Sequence, residues 1–271
     1  MTVGTNRGAV RAIAGRDLRL VRRSRAVLIP IVVVPAVLLL VPPLALLALA
    51  GTPDALAAEL QPLLARVTPA MAPSSSTPGQ HAIVLLLVYV FAPLFLLVPI
   101  MVASVTAADS VVGERERGTL EGLLHSPTTD RELFLAKLAT PFVVAVLVTL
   151  ASAGCYAIIA NTVLRAYGLP PMFPNVVWTV LIVWVAPAAA GVGLTLVVLI
   201  SARVKTFQEA SQISGIVVVP VVGLVIAQVT GLLLFDVALL VGLGCVLWLL
   251  TLLLMRFAVR RFRRDRLITG N

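Results

Sequence analysis

Six stretches of the 271-residue sequence, over 27–50, 82–105, 138–160, 176–200, 213–234 and 237–255, contain no Asp, Glu, Lys, Arg or His. Each is 19 to 25 residues long, near or above the roughly 20 apolar residues that a helix rising about 1.5 Å per residue needs to cross about 30 Å of hydrocarbon. The windows predict an all-α polytopic membrane protein with six transmembrane helices, folded as a single domain over the whole chain.

The rest of the sequence leaves little room for another class. The chain is 60% hydrophobic and 12% charged, where a soluble domain is about 45–50% apolar and 25% charged. All 33 charged side chains and both histidines fall in the 134 positions between the windows, and no connection is long enough for a globular domain. A soluble enzyme is excluded. The net charge of +9 could suggest nucleic acid. The basic residues, however, sit at the feet of the apolar windows, and no recognition module with interleaved aromatics is present, so no nucleic-acid partner is expected. Anionic membrane lipids are the expected counter-charge. Cys155 and Cys245 lie inside windows without metal-ligand spacing, so they read as packing residues and indicate neither a disulfide framework nor a zinc site.

Charge also orients the chain. Nineteen of the 21 Lys and Arg residues fall before the first window, in the second and fourth connections, or after the sixth window. Under the positive-inside rule this predicts both termini and those two connections in the cytoplasm, with the protein in the plasma membrane. Spans five and six are expected to form a hairpin turned at Phe235 and Asp236 on the outer face. The first window is too long for the apolar region of a signal peptide, so it is expected to be retained. Over residues 7–25, Val10, Ile13, Ala14, Leu18, Leu20 and Val21 share one helical face and Arg11, Arg16, Arg19, Arg22 and Arg23 the other. That pattern predicts an amphipathic interfacial helix before span one; a charged tail that only fixes orientation is the alternative. In the first outer connection Leu56, Leu60, Leu63, Leu64 and Val67 follow Thr52-Pro53 at helical spacing. Pro62 should kink or divide that helix, and the stretch from Pro73 to Gly79 reads as flexible loop.

No phosphate loop, H-E-x-x-H or G-x-S-x-G occurs, so no catalytic residue, metal ligand or cofactor site is expected in this chain. The windows also lack the buried acids and bases that proton- and ion-coupled transporters usually keep at membrane depth. Sodium can be held by carbonyls and hydroxyls alone, so secondary transport is weakened without being eliminated.

Charge is dense and patterned only over 107–137. Span two is expected to continue as helix into Glu116, Gly118 and Gly122 to permit a redirection, and Leu120, Leu123 and Leu124 to form a short apolar face ended by Pro127. Thr129 and Glu132 form a capping-box pattern that restarts a helix through Lys137 into span three. Such an element could pass a push from a soluble partner into two spans; a solvated loop is the plain alternative.

The run Glu114-Arg115-Glu116-Arg117-Gly118-Thr119-Leu120-Glu121-Gly122-Leu123-Leu124-His125-Ser126-Pro127, with Lys137 beyond it, resembles the loop between the second and third helices of type-2 ABC transporter permeases. A second stretch, from Ser201 to Gln212, is similar to the S-x-R-x-K-x-x-x-E-A-x-Q segment between helices four and five in the sodium-efflux-like and multidrug-like branch. The two motifs stand in the expected order. The resemblance implies one transmembrane half of an ABC exporter, pairing with a second permease copy or paralogue and with two separate ATP-binding-cassette subunits. Those subunits would bind the ATP and Mg that this chain does not. It further implies that Glu114, Arg115, Glu116, Gly118, Thr119, Glu121 and Pro127 belong to the ATPase-coupling region, and that Arg203, Lys205, Glu209 and Gln212 line the second cytoplasmic loop. The family commonly has re-entrant outer elements between helices five and six; here any such piece must come from a shortened span five, near Pro220 or Gly231.

The remaining singled-out residues have plainer readings. Pro30, Pro35, Pro42, Pro93, Pro99, Pro187 and Pro220 are expected to kink helices, and Gly191, Gly193, Gly242 and Gly244 to be close-packing points. Gln228 is the only amide inside the windows, either an interhelical hydrogen bond or a polar contact in the translocation pathway. The rival from another class is a non-transporting membrane scaffold or assembly subunit that uses the same loops only for docking.

Overall fold

The computed structural model describes residues 25–48, 53–64, 77–113, 116, 130–201, 204, 206–215, 218–230 and 236–261, and every regular element among them is helical. The first helix, α1 (Arg25–Ala48), carries Pro30, Pro35, Pro42 and Pro43 within its length. Residues 7–24 of the expected interfacial helix, and the tail after Arg261, lie outside the described residues.

Between the first two windows lie α2 (Pro53–Glu59) and α3 (Gln61–Leu64), broken at Leu60. The break falls where Pro62, which has no N–H to donate, would interrupt a continuous helix. The next helix, α4, is a run of 36 residues, Pro78–Gly113, about 54 Å long. It starts earlier than the charge-free window. Thr77 accepts the Gln80 N–H at 3.3 Å and donates its own N–H to Gln80 Oε1 at 2.8 Å, with Pro78 in the first turn. The flexible-loop expectation is thus corrected at its end: Pro78 and Gly79 are helical because Thr-x-x-Gln forms a capping box.

Thr129, the first residue of the second capping-box pattern, lies outside the described residues; helix α5 is described unbroken over Asp130–Ala166, 37 residues. Its end is tied to two others: Tyr167 OH donates to Leu46 O at 2.6 Å and Gln80 Nε2 donates to Tyr167 O at 2.8 Å. Desolvation raises the Tyr167 phenol above its usual pKa. Asn161 fastens the following turn, accepting the N–H groups of Met172 and Phe173 at 3.1 and 3.0 Å and donating to Phe173 O at 2.8 Å. Asn175 then caps α6 (Val176–Ser201) by accepting the Trp178 N–H at 2.9 Å.

Helices α4 and α6 form the centre. In their most apolar stretches 72% and 67% of residues are buried, against 28% in α1 and α5 and 17% in the last helix, α9 (Val237–Arg261). Small residues set the spacing. A Cβ on Gly193 would lie 2.9 Å from Ser104 Oγ, one on Gly191 would lie 2.6 Å from Thr251 Cγ2, and one on Gly244 would collide with the Trp184 indole. Gly242 differs: nothing lies within 4 Å of its added Cβ, so its reading as a packing point inside this chain is corrected. The neighbours run α1, α5, α4, α6, α9 across the bundle.

Among the described residues, five helices are long and apolar enough to cross a membrane: α1, α4, α5, α6 and α9. Within the fifth window the described helices are the end of α7 (Phe207–Ser214) and α8 (Val218–Val229), 12 residues spanning about 18 Å; residues 216–217 and 231–235 lie outside the described residues. Pro220 lies in α8, two residues after its first described position, whereas Gly231 lies outside the described residues. Helix α8 packs chiefly on the Leu85–Phe95 part of α4, while α9 packs on α6. The two helices have different principal partners, with Gln228 of α8 bonded to Tyr89 O and Trp184 of α6 to Val241 O; the expected turn at Phe235 lies outside the described residues. Asp236 begins α9, accepting the Leu239 N–H at 2.8 Å.

Candidate functional site

The two motif-bearing connections meet at one end of the bundle. Helix α4 passes its apolar window and is described as far as Gly113, with a π-helical turn over Asp109–Gly113, and Glu116 is helical. Helix α7 packs across the same end, against Leu97–Gly113 of α4 and against α6. Its N-terminus needs acceptors for its first N–H groups. Thr206 Oγ1 accepts the Glu209 N–H at 3.2 Å, and Glu116 Oε2 accepts the Phe207 N–H at 3.0 Å across 91 residues of sequence. A carboxylate at this end of a helix also meets the positive end of its dipole, an exposed contact worth about 0.3–1 kcal/mol.

The burial pattern of α7 says which side is spent. Ala210 is buried, whereas Gln208, Glu209 and Gln212 are exposed, so the helix rests on one face and presents a polar one. Of the candidate coupling residues, only Glu116 is described; Glu114, Arg115, Gly118, Thr119, Glu121 and Pro127 lie outside the described residues. Of the second-loop set, Glu209 and Gln212 are described and Arg203 and Lys205 are not. The structure thus joins Glu116 to the helix that carries Glu209 and Gln212.

Behind this surface the bundle end is polar. Asp109 and Lys137 are both buried and both have partners, with Ser110, Thr140 and Ser201 also buried. Asp109 and Lys137 lie just beyond the charge-free windows, so helix length, and not window composition, brings charge into the packed interior.

The other polar centre lies in the half of α4 nearer Pro78, where Leu85–Val90 is π-helical. Three successive carbonyls there accept side-chain donors from three elements. Tyr156 OH reaches Leu87 O at 2.7 Å, Trp178 Nε1 reaches Val88 O at 2.8 Å, and Gln228 Nε2 reaches Tyr89 O at 2.6 Å. The backbone explains why they are free. Phe91 N–H, the α-helical donor for Leu87, reaches back to Leu86 instead. Pro93 can supply neither the π-helical bond to Val88 nor the α-helical bond to Tyr89, and its ring crowds the latter carbonyl. Tyr156 and Trp178 stack with ring centroids 4.5 Å apart, and Phe95 and Phe173 meet Trp178 edge-on at 5.4 and 5.3 Å.

Gln228 is 1% exposed, and its Nε2 makes the interhelical bond that one of its two sequence readings expects. Its Oε1 is buried without a partner among the described residues. Sequence reasoning did not identify Tyr156, Trp178 or Asn161. Pro93 four residues after Tyr89 is a local sign of a freed carbonyl, but the donors lie 69, 90 and 139 residues from their acceptors.

A set of interlocked apolar helices with polar contacts concentrated at one end and at a π-turn can transmit movement between its ends. No group of three or more His, Cys, Asp or Glu side chains that could hold a metal occurs among the described residues. Comparison of the sequence with curated proteins gives no match. The family described as ABC-2 family transporter protein, by contrast, matches residues 11–241, which takes in both motif-bearing connections and every helix from α1 to the start of α9. This multi-pass membrane protein, a permease component of an ABC transporter and not itself an ATPase, belongs to the ABC-2 transporter family.

Proposed function

We propose that the chain is the transmembrane subunit of an ATP-driven exporter of the sodium-efflux-like and multidrug-like branch. It forms half of a translocation pathway with a second permease copy or paralogue. Two separately encoded ATP-binding-cassette subunits bind ATP and Mg and dock on the end that carries Glu116 and α7. That end faces the cytoplasm with both termini, in the plasma membrane, and α8 with its flanking residues serves as the sixth crossing.

The observation that carries this reading is the Glu116 to Phe207 hydrogen bond. A partner that shifts the segment 114–127 pulls on α7, and α7 is packed on both central helices, α4 and α6. A docking event at one connection would therefore be felt at the second connection and in the bundle core together. The scarcity of charge in the spans favours an apolar or amphipathic cargo, since a charged one would cross these walls without counter-charges.

Reconstitution tests the division of labour. The purified chain should hydrolyse no ATP, and a proteoliposome containing it with its cognate ATP-binding subunit should hydrolyse ATP at a rate that depends on the permease. Hydrolysis by the chain alone, after contaminating ATPases are removed, would contradict it.

A further inference from the structure

At the Tyr167 end of the bundle, a cleft of about 360 Å³ opens between α4 and the start of α6, lined by Val84, Val88, Tyr89, Met172, Asn175, Val176 and Val177. No charged side chain lines it, and most of its wall is valine. Two uncharged polar groups are left over there. The Tyr89 hydroxyl and Asn175 Nδ2 have no hydrogen-bond partner among the described residues, although Tyr89 O and Asn175 Oδ1 are both used. A hydrogen-bonding site in an apolar wall selects a molecule with an apolar body and an uncharged acceptor.

Position narrows the source. Val84 and Tyr89 lie six and eleven residues after Pro78, about 9 and 16 Å along the helix axis from its start. Val176 on the rim is 65% exposed, and Val183, two turns further along the same helix, is also 65% exposed, so the mouth opens on a surface suited to lipid. Val84 stands two residues inside the charge-free stretch 82–105 and Asn175 immediately before the stretch 176–200, so the cleft sits at the edge of the apolar span, where a bilayer changes from ester carbonyls to hydrocarbon. We propose that this cleft binds the ester-linked upper acyl segment of a membrane lipid, with the ester oxygen accepting from Tyr89 OH and Asn175 Nδ2 and the chain lying along Val84, Val88 and Val177. Because Tyr89 is also the residue whose carbonyl holds Gln228, a lipid seated there bears on the element that positions α8. The inference does not depend on ATP coupling.

Photolabelling in nanodiscs tests it without any ATPase, so its failure and that of the exporter reading are distinguishable. The probe is phosphatidylcholine carrying a diazirine in the upper third of one acyl chain. Adducts on the peptides containing Tyr89 and Met172 are compared with those on the exposed α8 face at Val222 and Ile226, which ordinary annular lipid also touches. The wild-type protein should label preferentially at the cleft. Val176→Trp should lower that preference to the level of the α8 face, and Tyr89→Phe, which keeps the carbonyl and loses the hydroxyl, should lower it about threefold. Equal labelling of cleft and α8 face in the wild type, or a preference unchanged in Tyr89→Phe, would overturn the proposal. So would cleft labelling by a free medium-chain alcohol diazirine but not by the lipid.

Discussion

The carboxylate of Glu116 accepts the backbone N–H of Phe207 at 3.0 Å, so the end of one connection supplies the cap for the helix that opens the next. Removing this link should affect communication more than folding. Glu116→Leu loses both acceptor and charge, and Glu116→Gln loses only the charge. Because the site is exposed, either change should cost no more than about 1 kcal/mol in stability. Membrane abundance should stay near wild type while permease-dependent ATP turnover of the partner falls, more for Leu than for Gln. Wild-type turnover by the Leu variant would reduce the contact to local packing.

Gln228 supplies the clearest test of how α8 is held. Gln228→Leu leaves Tyr89 O without its donor, and interhelical hydrogen bonds in membrane proteins are worth about 0.6 kcal/mol on average and up to about 1.7. Thermal unfolding in detergent should shift by that amount. Gln228→Glu should be worse at neutral pH, because a buried carboxylate must be protonated before it can donate. A Leu variant as stable as wild type would mean that packing alone fixes α8.

The glycines separate by what lies opposite them. Gly244→Ala drives a methyl into the Trp184 indole and should cost about 1–3 kcal/mol as an overpacked contact. Gly242→Ala, on the same helix with open space at its Cβ, should be within about 0.5 kcal/mol of wild type or more stable, since alanine favours helix. Equal behaviour in a thermal melt would contradict this packing of α6 on α9.

Threading can be read by cysteine labelling after Cys155 and Cys245 are replaced. A cysteine at exposed Pro171, in the turn after α5, should react with an impermeant thiol reagent from outside intact cells, and one at Ser126 should not. Asn161 is unsuitable as a reporter, because its side chain fastens that turn through three hydrogen bonds. Labelling at Ser126 in intact cells would reverse the orientation.

Local chemistry was legible where the signal and its consequence lie close together. Pro62 marks the break between α2 and α3. The start of α4 was equally legible in Thr77 and Gln80, but the serines before it drew that stretch into a loop. For span five the described residues give only Val218–Val229 as helix within the uniformly apolar window 213–234, besides the end of α7. Charge-free windows also hid Asp109 and Lys137, which enter the interior only because α4 and α5 outrun them. The π-turn contacts were beyond sequence reasoning for a geometric reason. Pro93 frees carbonyls, but nothing in the chain order says that Tyr156, Trp178 and Gln228 converge on them.

The most direct test of coupling through the 114–127 segment is partner ATP turnover and transport in proteoliposomes with Glu121→Lys. Glu121 belongs to the charged run outside the apolar windows, so insertion and abundance should remain near wild type, within about 0.5 kcal/mol in stability. Charge reversal at a docking surface opposes association, so transport and permease-dependent ATP turnover should fall together. A compensating charge change on the ATP-binding subunit should restore both. Gly118→Pro should also fail, through a backbone that cannot turn, and should not be rescued by that change. Full transport by Glu121→Lys at wild-type abundance, together with full transport by Gly118→Pro, would contradict coupling through this segment.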